Sequence, residues 1–530
     1  MEKKFKILVS DKLGEIGIQK FQNEEGFEVD VNTGLSPDEL KKIIGDYDGL
    51  VIRSATKVTE DILSSATNLK VVGRAGIGLD NVDIPAATKR GIVVMNTPLG
   101  NVVTTAEHAI SMMLSLTRNI PRGTQSLKDG RWDKKLLQGR EVYQKTLGLI
   151  GFGKIGSIVA DRARGLKMKV IIYDPHVTPQ KIEEEGYKSV SLDELYEQAD
   201  YITIHVPKIK DTLSMINKSA FDKMKDGVMI INCARGGIVN EADLYDALKS
   251  GKVRGAALDV FETEPPGNIP LFELDNVVCT PHLGASTLEA QTNVAVDVAD
   301  QIIDFLKNNT IRNAVNVPTV SGEIMNVLGP YLNLADKIGS LQAQLAKGPV
   351  ESVNIEYVGD FNNFDLSLIT TAFIKGFLAQ VVQYEVNFVN ARTIADERGI
   401  KVSQTTSSKS IDYINLITTT VKTSDEENKI SGTIFGKKDA RILRVNEFRL
   451  EIIPDGHLLF IMNQDKPGAI GSIGICLGSN NINIEDMKVG QTIDGQKNMV
   501  FLRTNTPINE QIKEELLSLP LISSVTSLEL

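Results

Sequence analysis

The sequence predicts an α/β protein: two doubly wound parallel-sheet units, then an α+β region and a ferredoxin-like βαββαβ module. Three observations carry this. Over residues 6–100 short apolar runs alternate with polar helical stretches. From Thr146 to Asp174 a strand, a glycine-rich turn, a helix and a second strand follow one another without a break. From His457 the order becomes strand, helix, strand, strand, helix, strand.

In the first unit the strands are read at Lys6–Ser10, Phe27–Val31, Gly49–Arg53, Leu69–Gly73 and Ile92–Asn96. No glycine fingerprint occurs there, so this unit is not the nucleotide binder. Its strand ends carry Arg53-Ser54 and Gly73-Arg74-Ala75-Gly76. Ligands of open α/β sheets sit beyond the carboxyl ends of the strands. Position alone leaves an anion site and ordinary solvated arginines equally open. The stretch Asn101–His108 follows, where Thr104 with Glu107 fits a capping box for a helix running to about Leu116.

The second unit opens on the apolar strand Leu147–Ile150 and the pattern Gly151, Gly153, Gly156. The first glycine permits the tight turn and the second lets a pyrophosphate approach. The third lets the helix pack close to the strand. Helix amides and the helix dipole then supply an anion site. A strand at Lys169–Tyr173 ends in Asp174, 18 residues after the last glycine. A carboxylate there binds a ribose 2′-hydroxyl and repels a 2′-phosphate, so the cofactor is read as NAD. Both units are therefore Rossmann-like. Further strands are read at Tyr201–His205, Val228–Asn232, Gly255–Leu258 and Val277–Thr280, and a second capping box, Ser286 with Glu289, opens a helix through Leu306. Two long helices flanking the dinucleotide unit suggest that the chain leaves the first domain near residue 100 and returns near residue 284. The expected domains are 1–99 plus 284–316, 100–283, 317–451 and 452–530, with the active site in the crevice between the first two.

Val317–Gly322 reads as a linker. Helical patterns follow at Leu332–Leu345, Phe373–Val389 and Asn390–Arg398, then a β-rich stretch at Lys429–Ile453. No catalytic constellation shows there. The terminal module is read as Leu458–Met462, Ala469–Ser479, Ile482–Val489, a turn at Asp494-Gly495, Asn498–Thr504, Asn509–Leu517 and Ile522–Leu528. Gly468, Gly471, Gly474 and Gly478 leave its first helix nearly bare, for tight helix–sheet packing or for the approach of a ligand or partner subunit.

Oxidising an alcohol with NAD needs a base, a cation for the substrate and a hydride path. His282, in Thr280-Pro281-His282-Leu283-Gly284, follows a strand and suits proton transfer near neutrality. Glu264 also follows a strand end, and a carboxylate partner would orient the ring. Arg235, in Asn232-Cys233-Ala234-Arg235-Gly236-Gly237, can grip a carboxylate with two parallel hydrogen bonds. Each residue alone is more often structural; three at strand ends of one unit favour function. His108 and His205 read as satisfied, partly buried histidines.

Composition narrows the classes. The 530 residues suggest three or four domains. A net charge of −10 argues against a general nucleic-acid or membrane-surface role. Cys233, Cys279 and Cys476 form no C-x-x-C, so neither a metal site nor a disulfide framework is expected. No signal-peptide core and no apolar run of about 20 residues are seen, which leaves the cytoplasm as the expected location.

The motifs G-F-G-K-I-G, N-C-A-R-G-G, F-E-T-E-P-P and P-H-L-G-A-S-T together resemble those of the D-isomer-specific 2-hydroxyacid dehydrogenases. N-Q-D-K-P-G-A-I-G and N-I-N-I-E-D-M-K-V-G resemble an ACT domain, and the length resembles long members with an intervening domain of the allosteric substrate-binding type. The resemblance implies His282 as proton acceptor for the C2 hydroxyl, Glu264 as its partner and Arg235 on the substrate carboxylate. It implies Arg53, Ser54, Arg74, Gly76 and Asn101 near a phosphorylated 2-hydroxy acid. Lys134 or Lys135, beside Trp132, would reach a neighbouring subunit's site in a homodimer or homotetramer. Implied cofactor contacts are Gly151, Gly153, Lys154, Ile155, Gly156, Asp174, Cys233, Asp259, His282 and Gly284. Ile77 and Val206 stand where relatives often carry threonine. Asn463, Asp465 and Asn483 match the L-serine effector positions between paired ACT modules. Rival readings are reduction of glyoxylate, hydroxypyruvate or 2-oxoglutarate, and an NAD-sensing corepressor.

Overall fold

In a computed structural model the described residues are 4–317, 322–361, 365–407, 413–491 and 497–530. Most of the expected linker Val317–Gly322 and the turn at Asp494-Gly495 lie outside them. The first sheet is parallel, with strand order Phe27–Val31, Phe5–Val9, Gly49–Ile52, Val71–Arg74, Val93–Asn96. Strands buried on both faces read as continuous apolar runs, and Gly49–Ile52 is buried throughout. One face packs helices Pro37–Ile43, Glu60–Ser64 and Ile84–Lys89. The other face packs Leu288–Asn308, whose Val294, Val298 and Ile302 meet Ile7, Val51 and Val71. A bridge between Met95 and Ala314 returns the chain to this sheet.

The second sheet has seven parallel strands, ordered Val277–Cys279, Val253–Leu258, Val228–Asn232, Tyr201–Ile204, Thr146–Ile150, Lys169–Tyr173, Lys188–Ser189. The two-residue edge strand had no signal of its own in the sequence. The helices Val102–Thr117 and Lys154–Gly165 cover one face. Leu192–Gln198, Lys218–Lys223 and Glu241–Ser250 cover the other.

Both expected capping boxes are corrected. The first crossover helix begins at Val102 with Asn101 as N-cap, which places Thr104 inside the helix. Burial of Val102, Ala106 and Ala109 sets that start. The second begins at Leu288, and Thr287, not Ser286, accepts the Ala290 amide at 3.2 Å.

The intervening region is α+β: a six-stranded sheet packed by Gly322–Leu345 and Ser367–Ala379. The second helix ends at Ala379 rather than running to Val389. Strands Val350–Gly359, Lys401–Ser407 and Asn415–Thr423 were not expected. The terminal module pairs Ile484–Gln491, Lys497–Thr504, His457–Gln464 and Ile522–Glu529 in that order, all antiparallel. One face of its central strand, Leu459 and Ile461, meets the module's own helices. The alternate residues Leu458 and Phe460 join the intervening core, as the two-residue period of a strand requires. Among the described residues no helix is long and apolar enough to cross a membrane.

Candidate active site

The fingerprint turn forms as the spacing requires. Gly151 has φ +96, and an added Cβ would meet the His205 carbonyl at 2.5 Å and Val206 Cγ1 at 2.8 Å. A Cβ on Gly156 would lie 2.0 Å from the Gly151 carbonyl oxygen. Gly153 is N-cap of the helix and makes no side-chain cap, so the first-turn amides stay available, and the space beside its Cα is open. Lys154 is exposed and Ile155 half-buried on that turn. Asp174 ends the neighbouring strand and accepts from the Phe152 amide at 2.7 Å and the His176 amide at 2.8 Å. This bare helix start beside an acidic strand end fits a dinucleotide. Burial pushes the Cys233 thiol up, which fits a packing role rather than a nucleophile.

His282 and Glu264 meet: Nδ1 lies 2.7 Å from Oε2. Partial burial raises the Glu264 carboxyl, but hydrogen bonds from His282 and the Phe261 amide outweigh it, and the net shift is downward. The carboxylate therefore stays ionised and can hold a proton on Nδ1, leaving Nε2 as a base. His282 sits at φ +53, and its loop is held by Asp259 through the Leu283 amide at 2.7 Å and the Gly284 amide at 2.8 Å. Asp259 is 0% exposed.

Across the crevice, Arg235 Nε donates to Asp80 Oδ2 at 2.9 Å and Nη1 to the Ala234 carbonyl at 2.7 Å. Arg74 is lowered to about 10 by desolvation and by Arg235 and Arg53, with Asp80 opposing. Its Nε is buried without a partner, as are Thr97 Oγ1 and Asn101 Oδ1. Gly76, at φ +147, gives Arg74 room, since a Cβ there would fall 2.2 Å from Nη1. The Arg53 loop is tied by its amide to Asp11 at 2.6 Å and by Asn81 to the Arg53 carbonyl at 2.7 Å; Ser54 is exposed beside it. The Ile77 carbonyl accepts from Asn96 at 2.6 Å.

Asp80, Asp11 and Asn81 were not singled out in the sequence, whereas His108 is the partly buried, hydrogen-bonded histidine expected there. Asp80-Asn81 follow Gly76-Ile77-Gly78-Leu79 in a strand-end loop, and that position was the available signal. Lys134 is exposed in a segment whose Leu136 and Gln138 line a cavity of about 300 Å³ with Met229, Gly255 and Asn276. Those residues mark the amino ends of their strands, opposite the crevice. In the terminal module Asn498 donates to Asp465 at 2.7 Å, beside Asn463 in the ladder. Asn483 lies at the other end of the sheet, next to Asn505. Within one chain the three expected effector residues are not brought together.

Three family models match the chain. They are the NAD-binding domain of D-isomer specific 2-hydroxyacid dehydrogenases over residues 110–284, the intervening domain of D-3-phosphoglycerate dehydrogenase over 327–446, and the ACT domain over 457–521. The chain belongs to the D-isomer specific 2-hydroxyacid dehydrogenases, and it is an oxidoreductase that uses NAD. Within that class it falls in the D-3-phosphoglycerate dehydrogenase family. It is 42% identical over 528 residues to the D-3-phosphoglycerate dehydrogenase of Archaeoglobus fulgidus, covering 99% of this chain and 100% of that one. Against the Bacillus subtilis enzyme it is 42% identical over 527 residues, again 99% and 100%. Among solved structures, D-lactate dehydrogenase from Aquifex aeolicus complexed with NAD and lactic acid is 30% identical with a TM-score of 0.52. That match covers 59% of this chain and 100% of that chain. The NAD-binding and ACT models together point to a hydroxy-acid substrate and an amino-acid effector.

Proposed function

We propose that the chain oxidises D-3-phosphoglycerate at C2 to 3-phosphohydroxypyruvate, the opening step of phosphorylated L-serine synthesis. The observation that carries this is the group of three guanidiniums, Arg53, Arg74 and Arg235, with Asp80 and Asp11 as the counter-charges around them. Clustered cations repel, and a substrate bearing both a carboxylate and a phosphate would relieve that repulsion at two points. Arg235 takes the carboxylate by a two-point grip; Arg53 and Arg74, with Ser54, Gly76 and Asn101 around them, take the phosphate. His282 Nε2 accepts the C2 hydroxyl proton, and Glu264 stabilises the imidazolium that results. NAD, when bound at Gly151–Gly156 and Asp174, supplies the hydride acceptor; Lys154, Ile155, Ile77, Val206, Cys233, Asp259 and Gly284 complete its surroundings.

The domain division is 1–99 plus 284–316, 100–283, 317–451 and 452–530; the packing of the two crossover helices on the second and first sheets supports its first two parts. We assign a homo-oligomer on the exposed apolar segment around Trp132, 80% exposed, with Leu136 and Leu127. L-serine is the assigned effector, with the unpartnered buried Oδ1 atoms of Asn463 and Asn498 as polar anchors. The cytoplasm is the assigned compartment, in keeping with three unpaired thiols.

The test is NAD reduction followed with D-3-phosphoglycerate beside D-lactate and D-2-hydroxyglutarate. Phosphoglycerate should be preferred, and His282→Ala should lower kcat about 10²–10⁴-fold. Equal rates with the unphosphorylated acids, or near-wild-type turnover in the variant, would overturn the reading.

A further inference from the structure

The loop carrying His282 has more polar support than its own residues supply. The Asp259 carboxylate gathers three donors without solvent, and His108 Nε2 stands against it as a fourth polar neighbour. Thr280 Oγ1 donates to Oδ1 at 2.6 Å, the Leu283 amide to Oδ1 at 2.7 Å and the Gly284 amide to Oδ2 at 2.8 Å. His108 Nε2 stands 3.2 Å from Oδ1 and 3.1 Å from Thr280 Oγ1. The His282 amide in turn donates to the Asp259 carbonyl at 3.0 Å. All three donors to the carboxylate belong to residues 280–284. His108, which bonds the Thr280 hydroxyl beside them, comes from the crossover helix Val102–Thr117.

That placement matters because His282 holds a left-handed backbone at φ +53, which costs free energy and persists only where its surroundings fix it. A buried carboxylate is rigid when every donor is present and costly when one is withdrawn. We propose that His108 is a positioning residue for the reaction. By donating from Nε2 to Thr280 Oγ1, which in turn donates to Asp259, it immobilises the carboxylate that holds residues 282–284, and so sets His282 Nε2 for proton transfer. The proposal rests on the reading of His282 as the base. It also ties the base to the helix on which the chain crosses between the two units. Further along the site the same helix meets the returning one, where Thr104 Oγ1 lies 3.3 Å from Thr287 Oγ1. The loop, the helix and the crossing thus share one frame.

The test compares His108→Leu, which removes the donor, with His108→Gln, whose amide nitrogen can stand in for Nε2. In the full-length enzyme His108→Leu should lower kcat about 10–100-fold, the cost of a misplaced reacting group. KM for D-3-phosphoglycerate should stay within about twofold, since the arginine cluster is untouched, and any rise in KM for NAD, whose surroundings include Asp259 and Gly284, should be smaller than the fall in kcat. His108→Gln should recover most of the lost kcat. Wild-type kcat in His108→Leu, an equal loss in both variants, or a loss confined to KM would overturn the proposal. Should His108→Leu fail to fold, Thr280→Val removes the hydroxyl shared by His108 and Asp259, and wild-type kcat there would be equally fatal. His282→Ala run beside them separates the two readings: an active His282→Ala enzyme sinks the base assignment, whereas an inactive one with unaffected His108→Leu sinks only the positioning role.

Discussion

Two helices in this chain follow a strand through a glycine-rich start, and the glycines answer to opposite demands. At Lys154–Gly165 the demand is internal. A Cβ on Gly156 would sit 2.0 Å from one backbone oxygen, and a Cβ on Gly151 would sit 2.5 Å from another. At Ala469–Ser479 a Cβ on Gly471, Gly474 or Gly478 would meet nothing within 4 Å. Tight helix–sheet packing, one of the two reasons the sequence offered for these glycines, is thereby excluded. Among the described residues nothing requires Gly471, Gly474 or Gly478, whereas Gly468 holds φ +97 at the N-cap. A glycine pattern therefore signals close approach without saying whether the approaching body is the chain itself.

The comparison can be broken hardest at Gly156. Gly156→Ala must push the first turn of the helix off the strand, with overpacking strain of about 1–3 kcal/mol. Calorimetric titration should show NAD affinity down at least about tenfold, the equivalent of ~1.4 kcal/mol. Undiminished affinity would mean that the turn relaxes freely and that the internal demand is weak.

A second measurement probes the wall behind Gly151. His205 contributes the carbonyl that blocks a Cβ there, and desolvation lowers its imidazole from 6.5 to about 4. The neutral ring is the form the fold accepts. Above pH 6.5 both folded and unfolded chains carry it neutral, and no stability depends on it. As pH falls from 6.5 towards 4 the unfolded chain binds the proton first, so the fold loses stability across that window. At ~1.4 kcal/mol per pH unit, and allowing for partial exposure, the loss is roughly 2–3 kcal/mol. Denaturant midpoints of His205→Asn should fall less steeply than wild type between pH 6.5 and 4; identical slopes would show a loosely packed strand end.

Much of this contrast was invisible in the sequence for a physical reason. Parallel strands such as Gly49–Ile52 and Val228–Asn232 were legible because both faces are buried and every residue but the terminal Asn232 is apolar. The intervening strand Lys401–Ser407 was not, since it is a largely exposed edge strand of polar residues. Both capping boxes matched the pattern and missed the helix start, because packing of Val102 and of Ala290, not the local pattern, fixes the register. At the site, chain position was enough to nominate His282, Glu264 and Arg235. Their partners were not all legible. Asp80 and Arg235 are 155 residues apart and His108 and Thr280 are 172 apart, so only the fold brings them together.

The gentlest test returns to the open helix. Gly474→Ala places a methyl group where the chain offers no obstacle, and alanine is favoured over glycine within a helix by about 0.5–1 kcal/mol. If the glycines are indifferent to the chain's own packing, the variant should gain up to that amount, read as a higher denaturation midpoint. A loss instead would mean that another body lies against this face in solution at a distance only glycine allows. Because the methyl meets nothing within the chain, its cost would then measure that outside contact alone. Gly156→Ala cannot provide this separation, since its clash lies within the chain.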